Sequence, residues 1–403
     1  MIPLTSLGHW SPASTGGPFD LARTVEFDFF GVQVRRPLST QAGHIPNHFE
    51  LGYGLLRPAD LPAPGVGWAA IKDGNWSVLD DLVALCINNG LVLHYEIGGG
   101  FGGVVPDLTE WTNVYTAFAT RFSTQIANGD VVLGMGNEWD GGDGVDGTFW
   151  PGDKPTGFTY QIAAVDAVRA VVPSVKVVSN STTAPGAAYL DDFLTANGPG
   201  YFDAVGFHPY VQPGEPERML GLSLQYRAVM EEHGISHYPL HMTECGWHAW
   251  YDDGEQQNNQ WTTDPGDIQL PDGMAADYIV RCYLVALLAR ARTYIHWGPD
   301  EFSFSQLDLL NRSNTALLDP AGIAFAFMTT TLIGADLGLS RSAGLMFIEF
   351  VKDGQRGRVY WRRDGESSVE DLSSWSTGAD VYGDPIVLSS TYTVTSSPIY
   401  VFD

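Results

Sequence analysis

The feature that most constrains this chain is an alternation of two textures. Eight short apolar runs, FFGVQVR, YGLLR, LVLHYEI, VVLGMGN, VKVVSN, FDAVGFH, PLHMTE and TYIHW, recur between residues 29 and 297, each too brief for a helix. Between them lie stretches with apolar residues at every third or fourth position. In WTNVYTAFATRFSTQI, Trp111, Val114, Tyr115, Phe118, Phe122 and Ile126 share one face, the spacing of a single amphipathic helix. The same spacing recurs in VLDDLVALCINNG, closed by Asn89 and Gly90, and in YQIAAVDAVRAVVP, LGLSLQYRAVMEEHG, AADYIVRCYLVALLARA and GIAFAFMTTTLIGA. Strands that alternate with helices pair in parallel through crossovers, and near-continuous apolar strands are covered on both faces. Eight such units predict an α/β fold, a closed (β/α)8 TIM barrel, which takes about 250 residues. The first unit is irregular, because STQAGHIPNHFELGY has no helical pattern.

From about residue 340 the sequence becomes alternating, β-branched and rich in turn residues, as in LMFIEFVKDGQRGRVYWRR and DPIVLSSTYTVTSSPIYVF. This predicts a small antiparallel, β-sandwich-like side domain. The expected division is a barrel over residues 26–338 and a β domain over 339–403, to which residues 1–25 could add. A hydrophobic content of 44%, with 12% aromatic residues, excludes a disordered chain.

The formal charge of −26 repels polyanions, so neither nucleic acid nor an anionic membrane surface is an expected partner, and neutral substrates fit better. The start MIPLTSLGHW has no basic region followed by an apolar run, and no stretch reaches the length of a membrane span. The expectation is a cytoplasmic protein or one released by another route, for example phage-borne. Cys86, Cys245 and Cys282 are isolated and odd in number, so free thiols are expected.

In a barrel of parallel strands the active site lies at the C-terminal strand ends. Polar residues end these apolar runs in order: Arg57 on strand two, His94 and Glu96 on strand three, Asn137 and Glu138 on strand four, Asn180 on strand five. His208 and Tyr210 follow strand six, Glu244 strand seven, and His296 and Trp297 strand eight. Glu138 and Glu244 lie about three βα units apart, which places them across the barrel mouth. Facing carboxylates suit glycosidic bond cleavage, in which one group protonates the leaving oxygen while the other, ionised, attacks the anomeric carbon or activates water. Met135, Trp139 and a facing Glu244 would favour a protonated Glu138, whereas Arg57, Tyr210 and His208 are candidates to keep Glu244 ionised.

GNE after strand four, TECGW at strand seven, DAVGFHPY at strand six and the Trp on strand eight together resemble the large clan of retaining glycoside hydrolases with (β/α)8 barrels and catalytic Glu residues on strands four and seven. The resemblance covers roughly residues 27–335. It implies Glu138 as acid/base, Glu244 as nucleophile and Asn137 as a partner of the sugar 2-hydroxyl. Trp139 departs from the pattern, since many relatives have Pro after the glutamate.

Other residues carry two readings. Arg57 and His208 are either supports of the catalytic pair or ordinary packed polar residues, and the same holds for Tyr210. His94 and Glu96 either bind sugar hydroxyls or make structural hydrogen bonds. Trp297 is a sugar-stacking platform or core packing, and Trp247, Trp250 and Tyr251 are weaker platform candidates. Cys245 should point away from the mouth by strand alternation. In DGGDGVDG, Asp140, Asp143 and Asp146 recur at every third position, unlike a calcium loop, and no HxH or HExxH pattern occurs, so no cofactor or metal is expected. The expected partner is a carbohydrate substrate. Rival functions are a non-catalytic carbohydrate-binding barrel in a cell-surface or phage-borne assembly, and a metal-dependent hydrolase.

Overall fold

The computed structural model describes residues 23–34, 51–58, 67–96, 105–140, 150–184, 186–211, 215–246, 274–297, 320–341 and 344–403. Eight parallel strands form the barrel: β1 (Phe30–Val34), β2 (Leu55–Pro58), β3 (Val92–Glu96), β4 (Val131–Gly134), β5 (Val177–Val178), β6 (Val205–Phe207), β7 (Leu240–Cys245) and β8 (Thr293–Trp297). Each expected apolar run supplies one strand. Their order in space is β5, β4, β3, β2, β1, β8, β7, β6. Between β5 and β6 the ring is bridged by the parallel pairs Val178 with Ala204 and Thr182 with Phe207, and His208 N donates to Thr182 O at 2.8 Å.

Helices α1 (Trp68–Lys72), α2 (Ser77–Asn88), α3 (Leu108–Arg121), α4 (Ser123–Asn128), α5 (Lys154–Val171), α6 (Ala187–Asn197), α7 (Arg218–Glu232), α8 (Met274–Leu288) and α9 (Pro320–Leu332) accompany the strands. Their starts follow local chemistry. Asp107 accepts from Thr109 N and Glu110 N to cap α3, and Asp153 accepts from Thr156 N to cap α5. The helix expected across residues 111–126 is interrupted at Phe122, whose φ of −108° leaves the helical region, so α3 and α4 are separate; α4 ends on the left-handed Gly129. Sequence reading passed over α6, although its buried Tyr189, Leu190, Phe193 and Leu194 have helical spacing. The irregular stretch expected between β1 and β2 lies largely outside the described residues. No described helix is long and apolar enough to cross a membrane.

A second, antiparallel sheet contains β9 (Asp336–Arg341), β10 (Met346–Lys352), β11 (Gln355–Trp361), β13 (Thr377–Ala379) and β15 (Ile399–Phe402), and the strand Arg23–Thr24 pairs with β9 at its edge. Strands β12 (Ser368–Glu370) and β14 (Tyr392–Val394) form a separate pair. Between β10 and β11, Asp353 and Gly354 both have positive φ, as a two-residue hairpin turn requires. Met346, Ile348 and Phe350 alternate along β10 into the core that the sheet shares with the barrel.

Helix α8 is buried almost all round because it packs against α7, α9 and β8 and meets the side domain through Asp364 and Ser397; helices covered on several sides lose their polar stripe. The one strong charge α8 buries, Arg281, is fully answered. Its Nε and Nη2 donate to the two oxygens of Glu217, at 2.9 and 2.6 Å, and Nη1 donates to Asp364 at 2.5 Å. Trp361 Nε1 also donates to Glu217, at 3.0 Å. These residues come from the start of α7, from α8 and from the side sheet, so the network ties the β6–α7 connection to the second sheet. Arg281→Met would leave Glu217 buried beside no cation. It is expected to lower stability by about 3–5 kcal/mol, read from urea unfolding, whereas a loss below ~1 kcal/mol would mean that the network contributes little.

Candidate active site

The end of β4 is shaped by two unusual backbone conformations. Gly136 has φ 142° and Glu138 has φ 52°. A Cβ on Gly136 would lie 2.7 Å from the Trp139 ring and 3.1 Å from Asn180 Oδ1, so glycine is needed for space as well as for conformation. A left-handed conformation costs a non-glycine residue about 1 kcal/mol or more and persists only where its surroundings enforce it. Here Asn137 forms a parallel bridge with Ser181, and Glu138 N donates to Ser181 O at 2.7 Å.

At the centre of the mouth is Arg57, fully buried at the end of β2. Its Nη1 donates to Glu244 Oε2 at 2.5 Å and to Gln33 Oε1 at 2.7 Å; its Nη2 donates to Glu96 Oε2 at 2.7 Å and to Asn137 Oδ1 at 2.8 Å. One guanidinium thus answers two carboxylates and orients the amide beside Glu138. Such bonds to charged partners are about twice as strong as neutral ones.

The two expected catalytic glutamates have different partners. Glu244, on β7, accepts from Arg57 and, through Oε1, from the Tyr210 hydroxyl at 2.7 Å. Burial alone would raise its pKa, but His208 and Arg57 outweigh burial and hold it below the usual carboxylate range. Burial, together with the Glu244 charge, pushes Tyr210 well above its ordinary value, so it remains a donor. Glu138 Oε1 instead hydrogen-bonds His208 Nδ1 at 2.7 Å, and His208 Nδ1 is 3.9 Å from Glu244 Oε2. Burial lowers the pKa of His208, yet the two carboxylates raise it by more. One ligand atom from each of Glu138, His208 and Glu244 lies within 4.8 Å of the other two.

Glu96 and His94 belong beneath this layer. The Glu96 side chain is fully buried and accepts from Arg57 at 2.7 Å and from Ser181 Oγ at 2.7 Å, with His94 Nε2 at 3.2 Å. Against the cost of burial, Arg57 and His94 hold its carboxyl far below the usual range. His94, also fully buried, is lowered chiefly by burial. Both side chains thus make hydrogen bonds within the protein.

Asn180 is buried, and its side-chain atoms have no hydrogen-bond partner among the described residues. Its Oδ1 lies near Gly136 and the Trp139 indole, whereas Ser181, one residue on, turns its hydroxyl to Glu96. Trp139 stacks on Trp150, with ring centroids 4.4 Å apart, and packs against Trp111. Cys245 Sγ lies 3.7 Å from Met219 Sδ on α7, away from the mouth. His296 is buried on β8. The backbone of Trp297 pairs with Gln33, and its side chain is outside the described residues, as are Trp247, Trp250, Tyr251, Asp143 and Asp146. Two partners escaped sequence reading. Gln33 is the uncharged polar side chain in FFGVQVR and carried a signal; Ser181, one residue past the end of VKVVSN, carried none.

No family model and no curated protein matches the sequence. Among solved structures, a GH39 β-xylosidase from Caulobacter crescentus is 13% identical, with a TM-score of 0.63 over 94% of this chain and 97% of that one. The GH39 enzyme from Xanthomonas axonopodis pv. citri is 14% identical, with a TM-score of 0.63 over 100% and 99%. AbfB, a family 51 α-L-arabinofuranosidase from Bifidobacterium longum, is 14% identical, with a TM-score of 0.60 over 94% and 96%. This chain therefore has the (β/α)8 fold of the glycosidases of that clan.

Arg57→Met would strand two buried carboxylates. At pH 7 the variant should be less stable by about 3–5 kcal/mol. Arg57 helps to depress both folded-state pKa values, so the stability it confers is present above the unfolded value of about 4.3 and is lost as pH falls. Without Arg57 burial is opposed only by His208, Tyr210 and His94, so both pKa values rise relative to wild type and protonation relieves the variant first. The gap between wild type and variant should narrow from pH 7 to pH 4 in urea titrations; a constant gap would contradict this electrostatic account.

Proposed function

We propose that this chain is a retaining glycoside hydrolase that cleaves O-glycosidic bonds of an oligo- or polysaccharide by double displacement. The observation that carries the proposal is the pairing of two carboxylates across the mouth with different support. Glu244 has a cation and a phenol at its oxygens; Glu138 has an imidazole. One oxygen of each lies within 4.8 Å of the other, which supports the retaining arrangement, with carboxyl groups about 5–5.5 Å apart, over the 6.5–9.5 Å spacing of inverting enzymes.

In the first step Glu244 attacks the anomeric carbon while Glu138 protonates the departing oxygen, giving a glycosyl-enzyme. Glu138 then removes a proton from water, which attacks the same carbon and releases Glu244. His208, Arg57 and Tyr210 keep Glu244 ionised, and Arg57 at Oε2 with Tyr210 at Oε1 orients the attacking carboxylate. Asn137 has its Oδ1 engaged by Arg57, so its Nδ2 is the end left to donate to the sugar 2-hydroxyl. Trp297 at the end of β8 is the proposed stacking platform. His208 orients Glu138 through Nδ1, and Glu96 and Gln33 fix Arg57 from below, with His94 bonded to Glu96.

The convergence of Glu138, His208 and Glu244 also favours a second reading, a divalent cation held by these three. It would have to displace the His208–Glu138 hydrogen bond and sit close to the Arg57 charge. Chelation separates the two: turnover should survive EDTA, and loss of activity restored by a divalent ion would replace the carboxylate mechanism. A non-catalytic carbohydrate-binding barrel is excluded by any turnover that depends on Glu244.

The test begins with a panel of aryl glycosides, headed by β-xylosides and α-L-arabinofuranosides because structurally similar proteins act on them. Glu244→Ala should abolish turnover of every substrate. Glu138→Ala should spare activated aryl glycosides in kcat/KM, and azide should rescue it with a glycosyl azide of retained configuration. Azide rescue of Glu244→Ala to a retained product, or of neither folded variant, would reverse or discard the assigned roles.

A further inference from the structure

The strained conformation of Glu138 needs an anchor beyond its own backbone bond, and the chain supplies one two residues later. Asp140 Oδ1 and Oδ2 accept from Thr183 N at 2.9 and 3.0 Å, and Oδ2 also accepts from Thr183 Oγ1 at 2.6 Å. A carboxylate that takes both an amide and a hydroxyl of one residue fixes distance and direction together. Thr183 is itself held: Tyr226 OH, on α7, donates to Thr183 O at 3.0 Å and lies 2.5 Å from Thr182 Oγ1. A Cβ on Gly186 would lie 2.4 Å from Asp140 Oδ2, so the chain closes tightly around the carboxylate.

Between this clamp and the acid/base lies Trp139, stacked on Trp150 with an interplanar angle of 21°. Residues 137–140 are therefore fixed at both ends: Asn137 and Glu138 to Ser181 by backbone bonds, Asp140 to Thr183 by its side chain. Glu138, with its positive φ, is the residue in between whose side chain reaches the mouth. If one end is released, the left-handed residue can relax and the carboxyl turns with it.

We propose that Asp140 is a positioning residue for proton transfer by Glu138, acting through Thr183 to keep the strained turn after β4 in register with the loop after β5. The proposal rests on the assignment of Glu138 as acid/base. Asp140 touches no reacting atom. Its effect is confined chiefly to steps in which Glu138 moves a proton, because Glu244 and Arg57 keep their bonds to each other, to Gln33, to Glu96 and to Tyr210, none of which lies in the clamped turn, and Asn137, the Arg57 partner that does, has its own backbone bridge to Ser181.

That confinement gives a readout that a general loss of structure does not produce. The probes are the 2,4-dinitrophenyl and phenyl glycosides of the sugar turned over in the panel. The first needs little protonation of its leaving group; the second needs much. Misplacing a catalytic group by about 1 Å can cost about 100-fold. Asp140→Ala should therefore lose about 100-fold in kcat/KM on the phenyl glycoside and less than about 3-fold on the dinitrophenyl glycoside. Asp140→Asn, which can still accept from Thr183 N and donate to Thr183 Oγ1, should recover most of the phenyl activity. Circular dichroism and thermal unfolding show whether each variant is folded; should Asp140→Ala not fold, Thr183→Val removes only the hydroxyl bond and should show the same selective loss in smaller degree. Equal losses on both substrates, or no loss in folded variants, overturn the proposal. If Glu138→Ala itself shows no dependence on the leaving group, the acid/base assignment fails and the proposal falls with it. A leaving-group-dependent Glu138→Ala beside an indifferent Asp140→Ala overturns the proposal alone.

Discussion

A single buried guanidinium organises this molecule's mouth. Arg57 has no contact with solvent, yet it reaches four side chains contributed by β1, β3, β7 and the turn after β4. A buried charge costs several kcal/mol unless it is paired and hydrogen-bonded, so the arrangement is stable only when all of these strands keep their register. Barrel closure and site geometry are therefore one constraint. A slip of one residue in β2 would turn Arg57 out of the barrel and leave Glu96 and Glu244 buried without a cation.

That constraint also divides labour between the carboxylates. Glu96, fully enclosed, spends its charge on Arg57, with Ser181 and His94 occupying its other oxygen. Glu244 shares the same cation but stands slightly open to the mouth. Glu138 takes a different route to its place, through a strained turn held by the loop after β5. Chemistry that needs one carboxylate to stay ionised and another to exchange a proton has, in this layout, its two requirements met by separate parts of the framework.

Much of this was legible in the sequence because both signals are local. Each barrel strand is a short apolar run, and Arg57, Glu138, His208, Tyr210 and Glu244 are polar residues where such runs end. What was hidden depends on direction and on partners far along the chain. Strand β5 is only two residues long and passes into bridges, so Asn180 and Ser181 were indistinguishable until Ser181 was seen to face Glu96. Whether Glu96 meets a sugar or an arginine depends on where Arg57 lies, 39 residues away. The break at Phe122 had no proline or glycine to announce it. Arg281 is the lone cation in an apolar helix, and its partners, Glu217 and Asp364, lie on opposite sides of it in the sequence.

The central claim is that Glu244, kept ionised by Arg57, forms a covalent bond to the sugar. The most direct measurement is to incubate the protein with a 2-deoxy-2-fluoro glycoside bearing a dinitrophenyl leaving group, which slows release of the glycosyl-enzyme, and to map the modified peptide by mass spectrometry. The account predicts one fluorosugar per chain, attached at Glu244 and absent from Glu244→Gln. Labelling at Glu138 or Glu96, or turnover to a product of inverted configuration with no label, would contradict it.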